Sequence, residues 1–578
     1  MSSRAGTPRW SCPGERAVTT FTGPPAESES GIGALTLGGL LLQTCAAHAK
    51  LDAIAARDGG GTVVRWTFAQ LEQQARRYAK GFIASGVGRG TRVGLLLPNR
   101  AEWLAAAFGI AMCGGVLVPF STFATAAELE QLLAHSGVAV LVAQRGFARS
   151  PLEALAEDIP ALLEGPAAML SSPRLPHLRQ VYDVDGTTAS GACLPIARLL
   201  DAGATVADDV LDAAVAAVTP ADDAIIIYTS GSTELPKGVM HAHRSPSLQS
   251  WRFAQRQRLL PGDRVYSAFP FFWTAGFAMV MGATLAAGGC LCVEETFAAE
   301  DALRTIQDEK VTIVHVWPHH AAQIRDCPRN GEFDISTVRN DPSRFRPGAA
   351  EQAVGLGSSR AGYGMSETFA IVTSAPVDAS RDILDGSHGF LLPGNVMRII
   401  DPVTQQPLGP GEEGEIIVKG TTLMRGYVGL PPEACFDMDG FFHSGDTGYV
   451  DERGLLHWTG RATELIKTGG ANVSPVELET VLATHPALLA AAVVGLPDEL
   501  LGEVVVACVV RRPGAQVEEP DVRSFVRERL SAYKVPKRVL FFDESELPTT
   551  SSDKVQHAEL RRLAAARLDA ADDALATV

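Results

Sequence analysis

The sequence has no CxxC pair, no apolar run long enough to span a membrane, few aromatics and a shortage of positive charge. Its nine cysteines are scattered and odd in number. That excludes a paired disulfide framework and fits reduced thiols in a cytoplasmic protein. Cys290 and Cys292 alternate within GGCLCVEE, a strand spacing that turns both to one face as core residues. The apolar stretch Phe277–Val293 runs for 17 residues and is rich in Gly and Ala. A spanning helix needs ~20 apolar residues, so this stretch reads as a buried helix followed by a strand. The first residues carry no apolar segment, and no secretory leader is expected. Fifty Lys and Arg against 66 Asp and Glu leave a net charge of −16. Nucleic acid and anionic membrane surfaces require clustered basic residues and are therefore not expected as main partners.

What is present is a globular composition. Of 578 residues, 46% are hydrophobic, which excludes a disordered chain and supplies at least one large core. Residues 1–30 are Ser-, Gly- and Pro-rich without periodicity and read as a flexible tail. Beyond them, apolar strands alternate with helical patterns. Residues 91–99 read as a buried strand, 101–115 as a helix stopped by glycines, and 116–120 as the next strand. Residues 224–233 form a strand running into a polar loop, and 312–318 and 414–420 are further strands. Strand–helix–strand alternation predicts an α/β fold with parallel-rich sheets between helices. Near residue 460 the pattern changes. The remaining stretch reads as a small α+β domain, with a helix at 475–485, strands at 490–496 and 504–510, a helix at 521–530 and a strand at 539–542. The expected organisation is a large domain over 31–459, a hinge at 460–463 and a small mobile domain over 464–578.

The strongest local signal is Thr229-Ser230-Gly231-Ser232-Thr233-Glu234-Leu235-Pro236-Lys237-Gly238, directly after the strand AIIIY. Small hydroxyl residues and glycines in a tight loop present successive N–H groups to phosphate oxygens. Lys237 is followed by Gly238 rather than Ser or Thr, so this is not the P-loop of nucleotide triphosphatases.

This string resembles the phosphate loop of the adenylate-forming superfamily of acyl-CoA synthetases, nonribosomal-peptide adenylation domains and luciferases. The resemblance extends over residues 60–560. Tyr363-Gly-Met-Ser366-Glu367-Thr368 is similar to the second nucleotide motif. It implies that Tyr363 stacks on adenine, Ser366 contacts phosphate, and Glu367 with Thr233 holds Mg²⁺. Carboxylates suit that ion because it takes hard oxygen ligands beside substrate phosphates. Asp446 in Gly-Asp-Thr-Gly would accept the ribose hydroxyls, and Arg461 would reach ribose and phosphate. The segment Pro548–Lys554 resembles the loop whose lysine, Lys554, serves adenylation. Four motifs in the right order are specific together.

The mechanism implied has two halves. A carboxylic acid attacks the α-phosphate of ATP; the small domain then rotates about Thr463, and a thiol displaces AMP. Residues 465–473 resemble the loop that enters the site after rotation, with Lys467 approaching the adenylate and Gly469 and Gly470 admitting the CoA arm. Lys534, Lys537 and Arg538 in AYKVPKR are candidates for CoA phosphates. Phe272, Trp273, Gly276, Trp317 and Gly362 are the acyl-pocket candidates, and their aromatics suggest a bulky or medium-chain apolar acid. The resemblance permits a monomer or a homodimer.

Five departures stand out. Glu234 replaces a phosphate-loop glycine; a carboxylate about 4 Å from one phosphate charge would cost roughly 4 kcal/mol at an effective dielectric of 20, whereas one turned to solvent at the loop tip would cost little. Residues 338–364 lack the usual Gly-Gly-Ala-Pro-like loop, Trp273 replaces a histidine, Thr463 replaces Asp or Lys, and Asp553 precedes the adenylating lysine. Three of these touch the ATP-consuming half. The expected function is therefore an acyl-CoA ligase working through an acyl-adenylate. One alternative is a thioester-forming ligase with weak or absent adenylation that takes its acyl-adenylate from a partner enzyme; another is a carrier-protein-loading enzyme.

Overall fold

The computed structural model describes residues 19–146, 150–229, 236–340, 342–346, 362–377, 379–380, 383–384, 387–461, 466–512, 514–543, 546–548 and 555–576. Among them, the helix Ala101–Met112 shows how the large domain is built. Every residue of AEWLAAAFGIAM except Glu102 is buried, as expected of a helix apolar on all sides. It packs on strands of two different sheets, and so forms the middle layer of a sandwich.

The first sheet has eight strands in the order Gly426–Tyr427, Lys237–Ala242, Asp223–Thr229, Val116–Pro119, Arg92–Leu96, Val140–Ala143, Gln180–Asp183, Cys193–Pro195. Its strands are parallel from Asp223–Thr229 onward, and the first two are antiparallel additions. The second sheet has five strands, Ile313–His315, Arg264–Ser267, Cys290–Glu294, Asp52–Arg57 and Val63–Thr67. Continuous apolar runs such as VLVP and VLVA suit strands covered on both faces. Cys290 and Cys292 share one face against Ala302 and Ile306, as expected, while Leu291 and Val293 face the other core. Residues 277–293 are a helix and then a strand.

A third, antiparallel sheet runs Phe21–Thr22, Asn395–Ile400, Gly414–Gly420, Phe442–Val450, Leu456–Arg461. It corrects the expected tail. Phe21 and Thr22 pair with Met397 and Val396, and Glu29 receives the guanidinium of Arg252 at 2.8 Å. Arg252 is only 2% exposed. A buried cation needs such a partner, so residues 19–30 are part of the large domain rather than a free segment. The strand expected over 312–318 is also shorter. It ends at His315, and Trp317 caps the helix Pro318–Arg325.

In the small domain, Leu488–Asp498 and Gly502–Arg511 form a long hairpin with Arg538–Phe542 parallel beside it. Side chains alternate across it. Val505, Ala507 and Val509 face the helices Pro475–Ala483 and Glu519–Arg527. Val506, Cys508 and Val510 face Leu560 and Ala564 of the helix His557–Ala576. The strict period of two buries both faces of one sheet. At its edge lies a short hairpin, Ile466–Thr468 with Ala471–Val473.

Candidate active site

One corner of the site is built by strand pairing in the large domain. Thr229 and Lys237 are register partners, so the two ends of the expected phosphate loop stand side by side. Ser230, Gly231, Ser232, Thr233 and Glu234 lie outside the described residues. Lys237 Nζ sits 5.1 Å from the ring centroid of Tyr427, which pairs with the same strand at Val239. The Tyr427 hydroxyl donates to Glu367 Oε1 at 2.7 Å. Across from it, the Tyr363 hydroxyl donates to Asp446 Oδ2 at 2.7 Å. Both groups are buried, and a charge-assisted bond of this kind holds the carboxylate in place. Arg461 is the register partner of Asp446, so its backbone borders the same corner.

The turn between Tyr363 and Ala370 is wound tightly. A side chain on Gly364 would meet the Ala370 carbonyl at 1.7 Å, so only glycine fits. Phe369 and Ala370 both have positive φ, 49° and 91°. Left-handed backbone in residues with a side chain costs roughly 1–3 kcal/mol each and persists only where packing compels it. Here Phe369 is fully buried, with edge contacts to His241 at 4.9 Å and Phe277 at 5.6 Å. His241 Nε2–H donates to the Ser366 carbonyl at 2.7 Å. Burial lowers its imidazole pKa to about 4, so the ring is neutral at pH 7. Strain in the turn is thereby offset by an aromatic plug and a buried hydrogen bond.

The second corner lies between the domains. Gly469 and Gly470, with φ of +56° and +84°, join the paired residues Thr468 and Ala471. Two glycines with positive φ match the left-handed two-residue turn of a hairpin. This turn rests on the large domain. A side chain on Gly470 would meet the Trp317 ring at 2.5 Å, and one on Gly469 would meet His319 at 3.4 Å. Trp317 stacks on Phe269 at 4.3 Å. Nearby, Phe272 and Trp273 form an edge-on aromatic cluster with Phe123, and Trp273 faces Tyr533 of the small domain at 6.4 Å.

Comparison with known proteins fits this geometry. The AMP-binding enzyme family profile matches residues 42–428, and the AMP-binding enzyme C-terminal domain profile matches 477–554. The chain belongs to the AMP-binding enzyme family. It is an enzyme of the AMP-forming acid–thiol ligase type. A feruloyl-CoA synthase from an Amycolatopsis species is 33% identical over 511 residues, covering 87% of this chain and 94% of that protein. A double mutant of o-succinylbenzoate CoA synthetase (MenE) from Bacillus subtilis, bound with its product analogue OSB-NCoA, superposes with a TM-score of 0.68 at 25% identity. It covers 90% of this chain and 98% of its own. ATP-bound MatB from Rhodopseudomonas palustris gives 0.58 at 28% identity, with 91% and 98% covered. The superposition is better on o-succinylbenzoate CoA synthetase although its identity is lower.

Within this AMP-binding enzyme, the structure places Tyr363, Ser366, Glu367, Asp446 and Lys237 in one corner, and Gly469 and Gly470 against Trp317. Lys467 projects over the Trp458 ring at 4.5 Å. Lys554, Asp553 and Thr463 lie outside the described residues, as do residues 347–361 of the altered loop. Three expectations change. Lys534, expected at CoA phosphates, is 4% exposed and donates to Glu128 and Glu477 at 2.8 Å each. An ammonium so enclosed is committed to its carboxylates. Gly276 and Gly362 face backbone rather than a pocket. Side chains there would meet the Pro270 carbonyl at 1.9 Å and the Thr373 carbonyl at 2.8 Å. Tyr427, His241 and Glu128 were missed. Each lies outside the motifs, and only strand pairing or domain docking brings it to the site.

Proposed function

We propose that this ligase activates a bulky or medium-chain apolar carboxylic acid as its adenylate and transfers the acyl group to CoA. The observation that carries the reading is the closure of the Gly469–Gly470 turn on Trp317, beside Phe269. The turn packs so closely on this aromatic wall that only glycine fits, which brings the small domain's loop against the aromatic side of the site. The aromatic lining favours an apolar acyl group. The matched feruloyl-CoA synthase is named for a ring-bearing acid, which supports the same class here.

In the first half-reaction, the acid carboxylate attacks the α-phosphorus and pyrophosphate leaves. Asp446, oriented by Tyr363, would hold the ribose, while Lys237 and Lys554 would face phosphate charge. Glu367 suits Mg²⁺: Tyr427 fixes one of its oxygens, which orients the carboxylate as a hard ligand. The ion would neutralise phosphate charge. In the second half, the thiol attacks the acyl carbon and AMP leaves. The relatives are named for CoA ligation, which favours the complete reaction over an adenylate supplied by a partner enzyme or transfer to a carrier protein.

The test is to supply ATP, Mg²⁺ and a panel of hydroxycinnamic, polycyclic, medium-chain and small polar acids, and to follow pyrophosphate and thioester separately. CoA-dependent thioester from at least one of these acids is the expected outcome. Thioester from none of them, with pyrophosphate released only for small polar acids, would refute the substrate class.

A further inference from the structure

The two domains are joined by a small enclosed charge cluster. Glu128 opens the helix Ala126–Ser136 of the large domain, and its Oε2 accepts the Thr125 N–H at 2.8 Å as half of a capping box. The same carboxylate reaches across to the small domain. Ser531 Oγ–H donates to Oε2 at 2.7 Å and Lys534 Nζ to Oε1 at 2.8 Å. Lys534 also donates to Glu477, a residue of its own domain, at 2.8 Å. Thr125 Oγ1 donates to the Arg529 carbonyl at 3.3 Å beside it. All three charged side chains are less than a tenth exposed.

The two carboxylates are not equivalent. Burial opposes the charge on both. At Glu128 the Lys534 ammonium, the Ser531 hydroxyl and the Thr125 N–H outweigh it, and the carboxyl is held below its ordinary pKa. Glu477 shares Lys534 but lacks the Ser531 and Thr125 donors, its Oε2 is buried without a partner among the described residues, and burial leaves its pKa raised. Glu128 is therefore the principal counterion of Lys534. Separation of the domains would leave no charge stranded. Glu128 would keep its cap and gain water, and Lys534 would keep Glu477. A buried pair whose members rehydrate on separation adds little net stability but fixes geometry. That is what an interface that must form and release on every turnover requires.

We propose that Glu128 is a positioning residue for thioester formation: by receiving Lys534 and Ser531 it docks the small domain in the orientation that lays the Gly469–Gly470 turn on Trp317. The inference rests on the two-step ligase reading above.

The test is Glu128→Gln in the full chain. Glutamine still serves a capping box, so the helix start is retained while the charge is lost. Adenylation, followed as pyrophosphate released from ferulate, ATP and Mg²⁺ without CoA, should stay within about twofold of wild type. Conversion of synthetic feruloyl-adenylate and CoA to thioester should fall about tenfold, the usual scale of a coupling between sites. Ser531→Ala should cause a smaller loss in the same step. Independently of any substrate, Glu128→Gln should raise amide deuterium uptake at residues 529–535 and 123–129. An unchanged thioester rate, equal losses in both half-reactions, or unchanged uptake would overturn the proposal. A wild-type enzyme that makes no thioester from any acid or adenylate would instead overturn the ligase reading, and the exchange measurement would then decide the docking role alone.

Discussion

The nucleotide corner and the thiol corner are assembled differently. The described residues of the first belong to one domain and are tied by side-chain hydrogen bonds: Tyr363 to Asp446, Tyr427 to Glu367, His241 to Ser366. The second exists only where two domains touch. Among the described residues its contacts include a shape fit, Gly470 on Trp317, an edge contact of Trp273 with Tyr533, and one ion cluster around Lys534. On the proposed two-step reading, the first corner would hold its geometry if the small domain moves, whereas the second would have to be remade each time. Changes at the first should therefore act on nucleotide binding, and changes at the second on thioester formation alone.

The sharpest test is Gly470→Ala. The new methyl group would lie 2.5 Å from the Trp317 ring, at a φ of +84°. A side chain at positive φ costs about 1 kcal/mol, and overpacking adds roughly 1–3 kcal/mol. Thioester formation from preformed adenylate should fall about a hundredfold while pyrophosphate release is nearly unchanged. Equal effects on the two steps would erase the distinction between the corners. Next is Asp446→Ala, which removes a charged acceptor. Its expected cost of about 1.5–3 kcal/mol corresponds to a roughly ten- to hundredfold rise in the KM for ATP. Tyr363→Phe should produce a smaller rise, because the carboxylate remains but loses its orienting donor. A Tyr363→Phe effect larger than that of Asp446→Ala would assign the hydroxyl a direct role.

The smallest effect expected is on pH. His241 is held neutral by burial, with a pKa near 4 against an ordinary 6.5. The unfolded chain therefore binds the extra proton first. Stability is complete above pH 6.5 and is lost as pH falls from 6.5 towards 4. His243, His315 and His320 are shifted in the same direction. Melting temperatures at pH 7.5 and 5.0 should show a larger drop for wild type than for His241→Gln, whose amide can still donate to Ser366. Equal drops would show that His241 does not link the corner to pH.

Much of the first corner was legible in the sequence, because its chemistry lies in short contiguous motifs. Strand Asp223–Thr229, the helix at 101–112, apolar but for Glu102, and the alternation of 504–510 follow from periodicity that backbone geometry imposes. Gly469 and Gly470 were legible through the resemblance of residues 465–473 to a known loop, and both have positive φ. Other readings failed where a residue's role depends on distant chain. Phe21 looks like tail until it pairs with Met397. Lys534 looks like a surface cation until Glu128, about 400 residues earlier in sequence, closes on it.

By itself, then, the sequence determined the α/β class, the motif order, the apolar runs of the sheets and the chemistry placed in the nucleotide loops. These are local properties, set by side-chain period, glycine backbone freedom and the types of donor and acceptor in a short stretch. Only the tertiary structure decided that Tyr427 anchors Glu367, that His241 braces the strained turn at Phe369, and that Gly470 meets Trp317 while Lys534 leaves solvent for Glu128. Each of these needs two segments distant in the chain to share one buried volume, and burial is what turns a surface charge into a fixed contact.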